Sequence, residues 1–153
     1  MIQPAPNLLP ETVNLVLFVN LKKANPEAKM LAAAKMVGFL LTKDYEKARA
    51  FFEGQLGFEF VSLDQFALVM SIGGHNIRIV KVPNFTPLQS TVLGWDVLDI
   101  QAVVAWLKQQ GVACEKYPFI QDRELGIWSA PGGAKVAWFK DPDGNVLSVS
   151  QHP

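Results

Sequence analysis

The sequence has very little cysteine and histidine. Its 153 residues include one cysteine, Cys114, and two histidines, His75 and His152. A single cysteine excludes an intramolecular disulfide, and so few thiol and imidazole groups exclude a cysteine-rich zinc site. Structural disulfides are typical of oxidising compartments, so we expect a cytoplasmic protein.

The chain also lacks an excess of charge and a long hydrophobic run. Lys+Arg and Asp+Glu number 14 each, which gives a formal net charge of zero. Nucleic-acid-binding domains are typically basic, so we expect no nucleic-acid partner. The longest apolar candidate, 13–21, contains Asn14 and Asn20 and is shorter than the roughly 18 residues of a membrane-spanning helix. We therefore expect no membrane partner.

What the sequence does contain is enough apolar residues for one sizeable core. Half of the residues are hydrophobic, and the length suits one domain. The first ten residues hold three prolines, and we interpret 1–34 as an N-terminal extension to a domain of residues 35–153. Within the extension, the run 16–19 could add an edge strand or pack on a partner, and Met30 is a second plausible start.

The pattern of residues after the extension repeats. In each half, an apolar strand is followed by an aspartate that can cap a helix, and the helix ends at a glycine. The capping residues are Asp44 and Asp99, and the glycines are Gly57 and Gly111. Alternation and turn residues predict strands over 36–42, 58–63, 66–72, 76–82, 91–97, 112–116, 135–139 and 146–150.

This order predicts an α+β fold made of two tandem βαβββ modules, at about 35–82 and 90–151. One module alone would leave one face of its mixed sheet bare. We expect the two bare faces to form a cupped cavity.

The motifs and their order resemble the vicinal oxygen chelate superfamily, which includes glyoxalase I, bleomycin resistance proteins and extradiol dioxygenases. The resemblance covers roughly 35–151. Its matching residues are Thr42-Lys43-Asp44, Ala48, Phe51-Phe52, Leu56-Gly57-Phe58, Val97-Leu98-Asp99, Gly111-Val112 and Phe139-Lys140-Asp141-Pro142-Asp143-Gly144-Asn145. The last stretch is similar to the signature hairpin of the superfamily. The resemblance also implies a homodimer.

Enzymes of this superfamily hold a divalent metal ion through His, Glu or Gln on the first and last strands of each module. The resemblance assigns those positions to Val37, Val92 and Ser148, with the fourth among 77–80, where Ile77, Arg78, Ile79 and Val80 stand. These side chains are not usual metal ligands. We therefore predict no metal site and no cofactor.

Strand alternation predicts the lining of the cup. It places Val37, Phe39 and Leu41 on one face, with Val92, Gly94, Asp96, Val146, Ser148 and Ser150. Such a lining suits a small apolar or aromatic molecule. Asp96 is either a desolvated base or a carboxylate at the wet end of its strand, paired with Lys or Arg. Arg78 is its natural partner, or alternatively binds an anion.

The loop 117–128 is expected to border the mouth of the cup. Tyr117 and Trp128 could stack on a planar or cationic ligand, and Glu124 could close over it. Alternatively, Trp128 covers the edge of the core. We expect Trp95 and Trp138 to be structural.

The sequence favours a metal-free binding protein for a small apolar or aromatic molecule. The alternative is a metal-independent lyase or isomerase with Asp96 or Glu124 as its base. A metal-dependent dioxygenase is not expected. A third possibility is an interaction domain that uses residues 1–34.

Overall fold

The computed structural model describes residues 30–153. A 3₁₀ helix, Met30–Ala33, belongs to the unit that precedes Met36, and residues 36–153 form a second unit. The interpretation of the run 16–19 lies outside the described residues. Within the described part of the chain, no helix is long and apolar enough to cross a membrane.

The first module has one helical segment and a four-stranded mixed sheet. Its elements are β1 (Val37–Thr42), α1 (Tyr45–Arg49), β2 (Glu59–Leu63), β3 (Leu68–Ile72) and β4 (His75–Lys81). The sheet has the order β1-β4-β3-β2. Strands β1 and β4 are parallel, and the other pairs are antiparallel.

The cap of α1 is as predicted, but the helix changes its winding. The Asp44 side chain accepts hydrogen bonds from the backbone of Glu46 and Lys47. After Arg49 the chain continues as a π-helix, Ala50–Gln55. The wider turn brings the consecutive residues Phe51 and Phe52 into the core, where they are 5% and 1% exposed.

The second module repeats this order. Its elements are β5 (Thr91–Asp96), α2 (Ile100–Gln109), β6 (Trp128–Ser129), β7 (Lys135–Lys140) and β8 (Val146–Gln151), and its sheet has the order β5-β8-β7-β6. Gly57 and Gly111 follow the two helical segments with φ of 74° and 79°. The two-module α+β prediction is confirmed.

One predicted strand is wrong. Residues 112–116 form no ladder and make a single backbone bond to β7, from Glu115 N to Trp138 O at 2.7 Å. The segment 112–116 and strand β6 lie along the same edge of β7, because Trp128 of β6 pairs with Val136, two residues before Trp138. The apolar residue of the segment, Val112, is nevertheless 5% exposed. The apolar residue that suggested a buried strand is therefore buried in the core, although its segment is not a strand.

The two modules share one core. Phe58 of the first module lies edge-on to Trp95 of the second, with ring centroids 6.0 Å apart. The hairpin between β7 and β8 also reaches back, because Asn145 Nδ2 donates to Leu41 O at 2.8 Å and Asp143 accepts from Thr42 Oγ1. The helices pack on one face of the sheets. We call the opposite face of each sheet its open face.

Candidate functional site

The open face of the first sheet is apolar and exposed. Along β1, Val37, Phe39 and Leu41 are 42%, 65% and 38% exposed, whereas Leu40 between them is 4% exposed. Arg78 is the register partner of Phe39 on β4. Its Nη2 atom lies 3.5 Å from Asp64 Oδ2. The expected partnership of Arg78 with Asp96 is therefore wrong, because Asp64, in the turn between β2 and β3, lies within its reach.

The open face of the second sheet is built around Ser148. This residue pairs with Gly94 on one side and with Trp138 on the other. A Cβ atom at Gly94 would lie 2.8 Å from Ser148 Oγ, so a side chain at this position would force the Ser148 hydroxyl to turn away. A register shift between Thr91 and Leu93 interrupts the alternation of β5.

Thr91 occupies this open face beside Trp138. Its Oγ1 atom accepts a hydrogen bond from Trp138 Nε1 at 3.2 Å. Val92 is only partly buried and packs against the shared core. The irregularity in β5 is the physical reason why simple alternation does not describe this strand.

Four aromatic side chains gather on the open face of the second sheet: Tyr117, Phe119, Trp128 and Trp138, which we call the aromatic platform. Tyr117 and Phe119 are stacked, with ring centroids 5.6 Å apart. Trp138 lies 5.9 Å from both of these rings and 6.1 Å from Trp128. Phe119 is 57% exposed, so the platform presents a ring to solvent.

Two members of the platform differ from the prediction. Trp138 is predicted to be structural, but its register pairing with Ser148 places it on the open face. The position of Ser148 could have revealed this, since paired residues of neighbouring strands share a face. Phe119 has no periodic signal, because it lies in the irregular loop after Tyr117.

A cavity of about 210 Å³ adjoins the platform. Phe119 and Trp128 form its aromatic wall, and the other lining residues are Gln121, Asp122, Ile127 and Ser129. Asp122 Oδ1 accepts hydrogen bonds from the backbone N–H groups of Glu124 and Leu125, at 3.0 and 2.9 Å. The cavity therefore combines two rings with a carboxylate, an amide and a hydroxyl group.

Arg123 holds the loop that carries the platform. Its guanidinium donates to the backbone carbonyls of Lys116, Tyr117 and Pro118, at 3.3–3.4 Å. These bonds direct its positive charge back toward the loop. They also fix the chain between the two stacked rings.

Other predicted site residues lie at separate cavities. Phe39 and Val92 line a cavity of about 180 Å³ near Pro87. Asp96 is exposed and lines an apolar cavity of about 240 Å³ beside α2, with Trp95, Val103 and Trp106. Glu124 is exposed and lines a smaller cavity of about 120 Å³ with Lys108 and Cys114. The predicted residues thus divide among several places.

The lone thiol is held in its neutral form. Burial, together with the neighbouring charge of Glu115, raises the pKa of Cys114 to about 11. Because the thiolate is the nucleophile, this environment suits a structural cysteine.

The positions to which the resemblance assigns metal ligands carry Val37, Val92 and Ser148, which are not usual metal ligands. Val37 and Val92 have hydrocarbon side chains, and the hydroxyl of Ser148 is a weak donor without a neighbouring carboxylate or imidazole on its strand. Among residues 30–153, no three His, Cys, Asp or Glu side chains converge into a group that could hold an ion.

Several solved structures share this architecture. A glyoxalase family protein from Bacillus anthracis is 20% identical, with a TM-score of 0.60 over 78% of this chain and 95% of that chain. TnmS3, an antibiotic binding protein from Streptomyces sp. CB03234, is 23% identical, with a TM-score of 0.60 over 79% and 97%. Lactoylglutathione lyase from Agrobacterium tumefaciens is 18% identical, with a TM-score of 0.57 over 78% and 93%.

No curated protein sequence matches this chain. The profile of one family does match, over residues 34–149. The matched span includes both modules and the hairpin between β7 and β8. The chain therefore belongs to the Glyoxalase/Bleomycin resistance protein/Dioxygenase superfamily.

Proposed function

We propose that this protein binds a small planar aromatic molecule on the aromatic platform. The observation that carries the proposal is the set of four rings on the open face of the second sheet, with Phe119 57% exposed. Exposing an aromatic ring to water is unfavourable, and an aromatic ligand that covers it recovers that free energy by stacking. Ser148 and Thr91 add hydroxyl groups at the base of the platform.

We also propose that binding needs no resident metal ion. The support is the donor chemistry: Val37, Val92 and Ser148 stand where the resemblance places ligands. A binding protein needs a shaped surface rather than a Lewis acid, so the platform meets this requirement with the residues present.

The fold is compatible with both ligand binding and catalysis. The similar structures include an antibiotic binding protein and a lyase, and one scaffold hosts many functions. The arrangement of side chains favours binding. The two candidate bases, Asp96 and Glu124, are both exposed and line different cavities, and neither lines the 210 Å³ cavity beside the platform.

Three other predicted ligand residues belong to the first sheet, and we propose that its open face also takes part in ligand binding. Val37, Phe39 and Arg78 lie on its open face. The exposed apolar side chains there also support the proposed homodimer, because surfaces of this kind are commonly covered by a partner.

The proposal is tested by titrating the ¹⁵N-labelled protein with tryptophol, a neutral planar probe, and following the amide signals by NMR. We expect shifts centred on 117–128. The substitution Phe119→Ala removes an exposed ring of the platform and should weaken binding about fivefold, equivalent to about 1 kcal/mol of stacking.

Phe66→Ala is the matched control. Phe66 is 66% exposed in the turn between β2 and β3, outside the platform, so its loss should leave the affinity unchanged. Equal weakening by both substitutions, or shifts confined to other residues, would refute the proposal. Metal analysis of the same purified protein should find no stoichiometric transition metal after dialysis, and a retained equivalent would refute the metal-free part.

A further inference from the structure

We propose that the ligand of the aromatic platform is an arylalkylamine, a planar ring system with an aliphatic amine whose protonated nitrogen pairs with Asp122. This inference rests on the proposed function and names the chemical class of its ligand. It is carried by the cavity of about 210 Å³ in which two rings of the platform and one carboxylate meet.

The rings and the carboxylate together select a cation. Phe119 and Trp128 lie edge-on to one another, with centroids 6.2 Å apart, and both line the cavity together with Asp122. Aromatic rings attract a nearby cation through their quadrupole, and a carboxylate adds a charge-assisted hydrogen bond. A neutral hydroxyl group can donate to the carboxylate but carries no charge for the rings to attract, and an anionic substituent is repelled by the carboxylate.

Asp122 is available for such a pair. Its Oδ1 atom is engaged by two backbone N–H groups, whereas the ion pairs among residues 30–153 involve other carboxylates: Glu53, Asp64 and Glu115. Arg123, the adjacent cation, donates to three loop carbonyls instead. Asp122 is also partly buried, which strengthens its attraction for a ligand cation relative to a fully solvated carboxylate.

The cavity is large enough for the charged group. A liquid water molecule occupies about 30 Å³, so a cavity of about 210 Å³ accommodates an alkyl-ammonium group whose attached ring stacks on the platform. The expected ligand is therefore one planar ring system with a short aliphatic amine arm.

The test compares tryptamine with tryptophol, which differ in an ammonium against a hydroxyl group on the same arm. Both are titrated into the full-length protein and followed by NMR at low and high salt. Tryptamine should bind about fivefold more tightly at low salt, a preference that corresponds to about 1 kcal/mol for a partly exposed pair. Added salt should reduce the preference.

Asp122→Asn removes the charge and keeps the Oδ1 acceptor of the turn, so the loop retains its two backbone bonds. This variant should bind both probes with the affinity of the wild type for tryptophol. Glu124→Gln removes a neighbouring charge at a different cavity and should preserve the preference for tryptamine. Equal affinities of the wild type for the two probes, or a preference that survives in Asp122→Asn, would overturn the inference. Failure of both probes to bind would instead overturn the proposed function itself.

Discussion

At the scale of single residues, the hairpin between β7 and β8 shows how a buried carboxylate can be tolerated. Asp141 is 7% exposed. Its Oδ1 atom accepts from Asp143 N and Asn145 N, both at 2.9 Å, and its Oδ2 atom accepts from Asn145 Nδ2 at 2.7 Å. Burial raises the pKa of Asp141, and the hydrogen bonds from Asn145 partly oppose that increase. These bonds fix the turn that also reaches β1.

The substitution Asp141→Asn should lower the free energy of unfolding by about 2 kcal/mol, because an amide N–H₂ group would then face the Nδ2 donor of Asn145. Urea denaturation measures the change. Asp122→Asn is the control, since it keeps the side-chain oxygen Oδ1 that accepts bonds from Glu124 N and Leu125 N, and should cost less than about 0.5 kcal/mol.

The raised pKa of Asp141 also determines how the stability difference between the wild type and Asp141→Asn changes with pH. The folded-state pKa of Asp141 lies above its ordinary value, so ionisation costs stability as the pH rises through that pKa. The stability difference between wild type and Asp141→Asn should therefore narrow from acidic to neutral pH. A difference that widens would show that burial does not dominate the titration of Asp141.

At the scale of secondary-structure elements, α2 is packed well on one side and loosely on the other. Ile100 and Leu107 are 0% and 2% exposed. Val103 is only partly buried and lines the apolar cavity of about 240 Å³, and Trp106, which lines the same cavity, is 40% exposed. The helix therefore has room on this side for a larger apolar residue.

Val103→Leu should raise the free energy of unfolding by about 1 kcal/mol. The added methylene enters the cavity, and leucine has a higher helix propensity than valine. Val146→Leu is the contrasting variant, because Val146 is 3% exposed in β8 and borders none of the cavities described above. It should lower stability by about 1–2 kcal/mol through overpacking. Thermal unfolding of the two variants distinguishes them, and a loss in both would show that the cavity near α2 cannot accept the extra group.

The elements also show what the sequence could predict. Three features follow from the chemistry of neighbouring residues and can be predicted from the sequence alone. They are the caps at Asp44 and Asp99, the glycines after each helical segment and the hairpin at 141–145. The π-helical turn does not, because it depends on burying Phe51 and Phe52 against residues distant in sequence.

The candidate site was predictable only in part, for the same reason. Tyr117 and Trp128 stand at the ends of one loop, and their residue types already indicated stacking. Trp138 and Phe119 join them only through the register of β7 with β8 and the path of the loop. The division of Asp96 and Glu124 between two other cavities likewise depends on tertiary packing.

At the scale of the whole molecule, the two modules are joined through side chains that neither module can bury alone. Phe58 is 3% exposed and contacts Trp95 of the other module. Asn145 of the second module donates to the backbone of β1 in the first. Separation of the modules would expose this shared core and leave buried polar groups without partners, so neither module should persist when the other unfolds.

We therefore expect both modules to unfold in one transition, although they can be observed separately. All four tryptophans, at positions 95, 106, 128 and 138, lie in the second module, so fluorescence reports that module. The amide NMR signals of β4 report the first. Midpoints in urea from the two probes should coincide for the wild type. In Phe58→Ala both should fall together, by an amount equivalent to about 3 kcal/mol, because the lost ring belongs to the common core. A fall in the β4 signals alone, with the tryptophan midpoint unchanged, would show that the contact between Phe58 and Trp95 does not couple the modules.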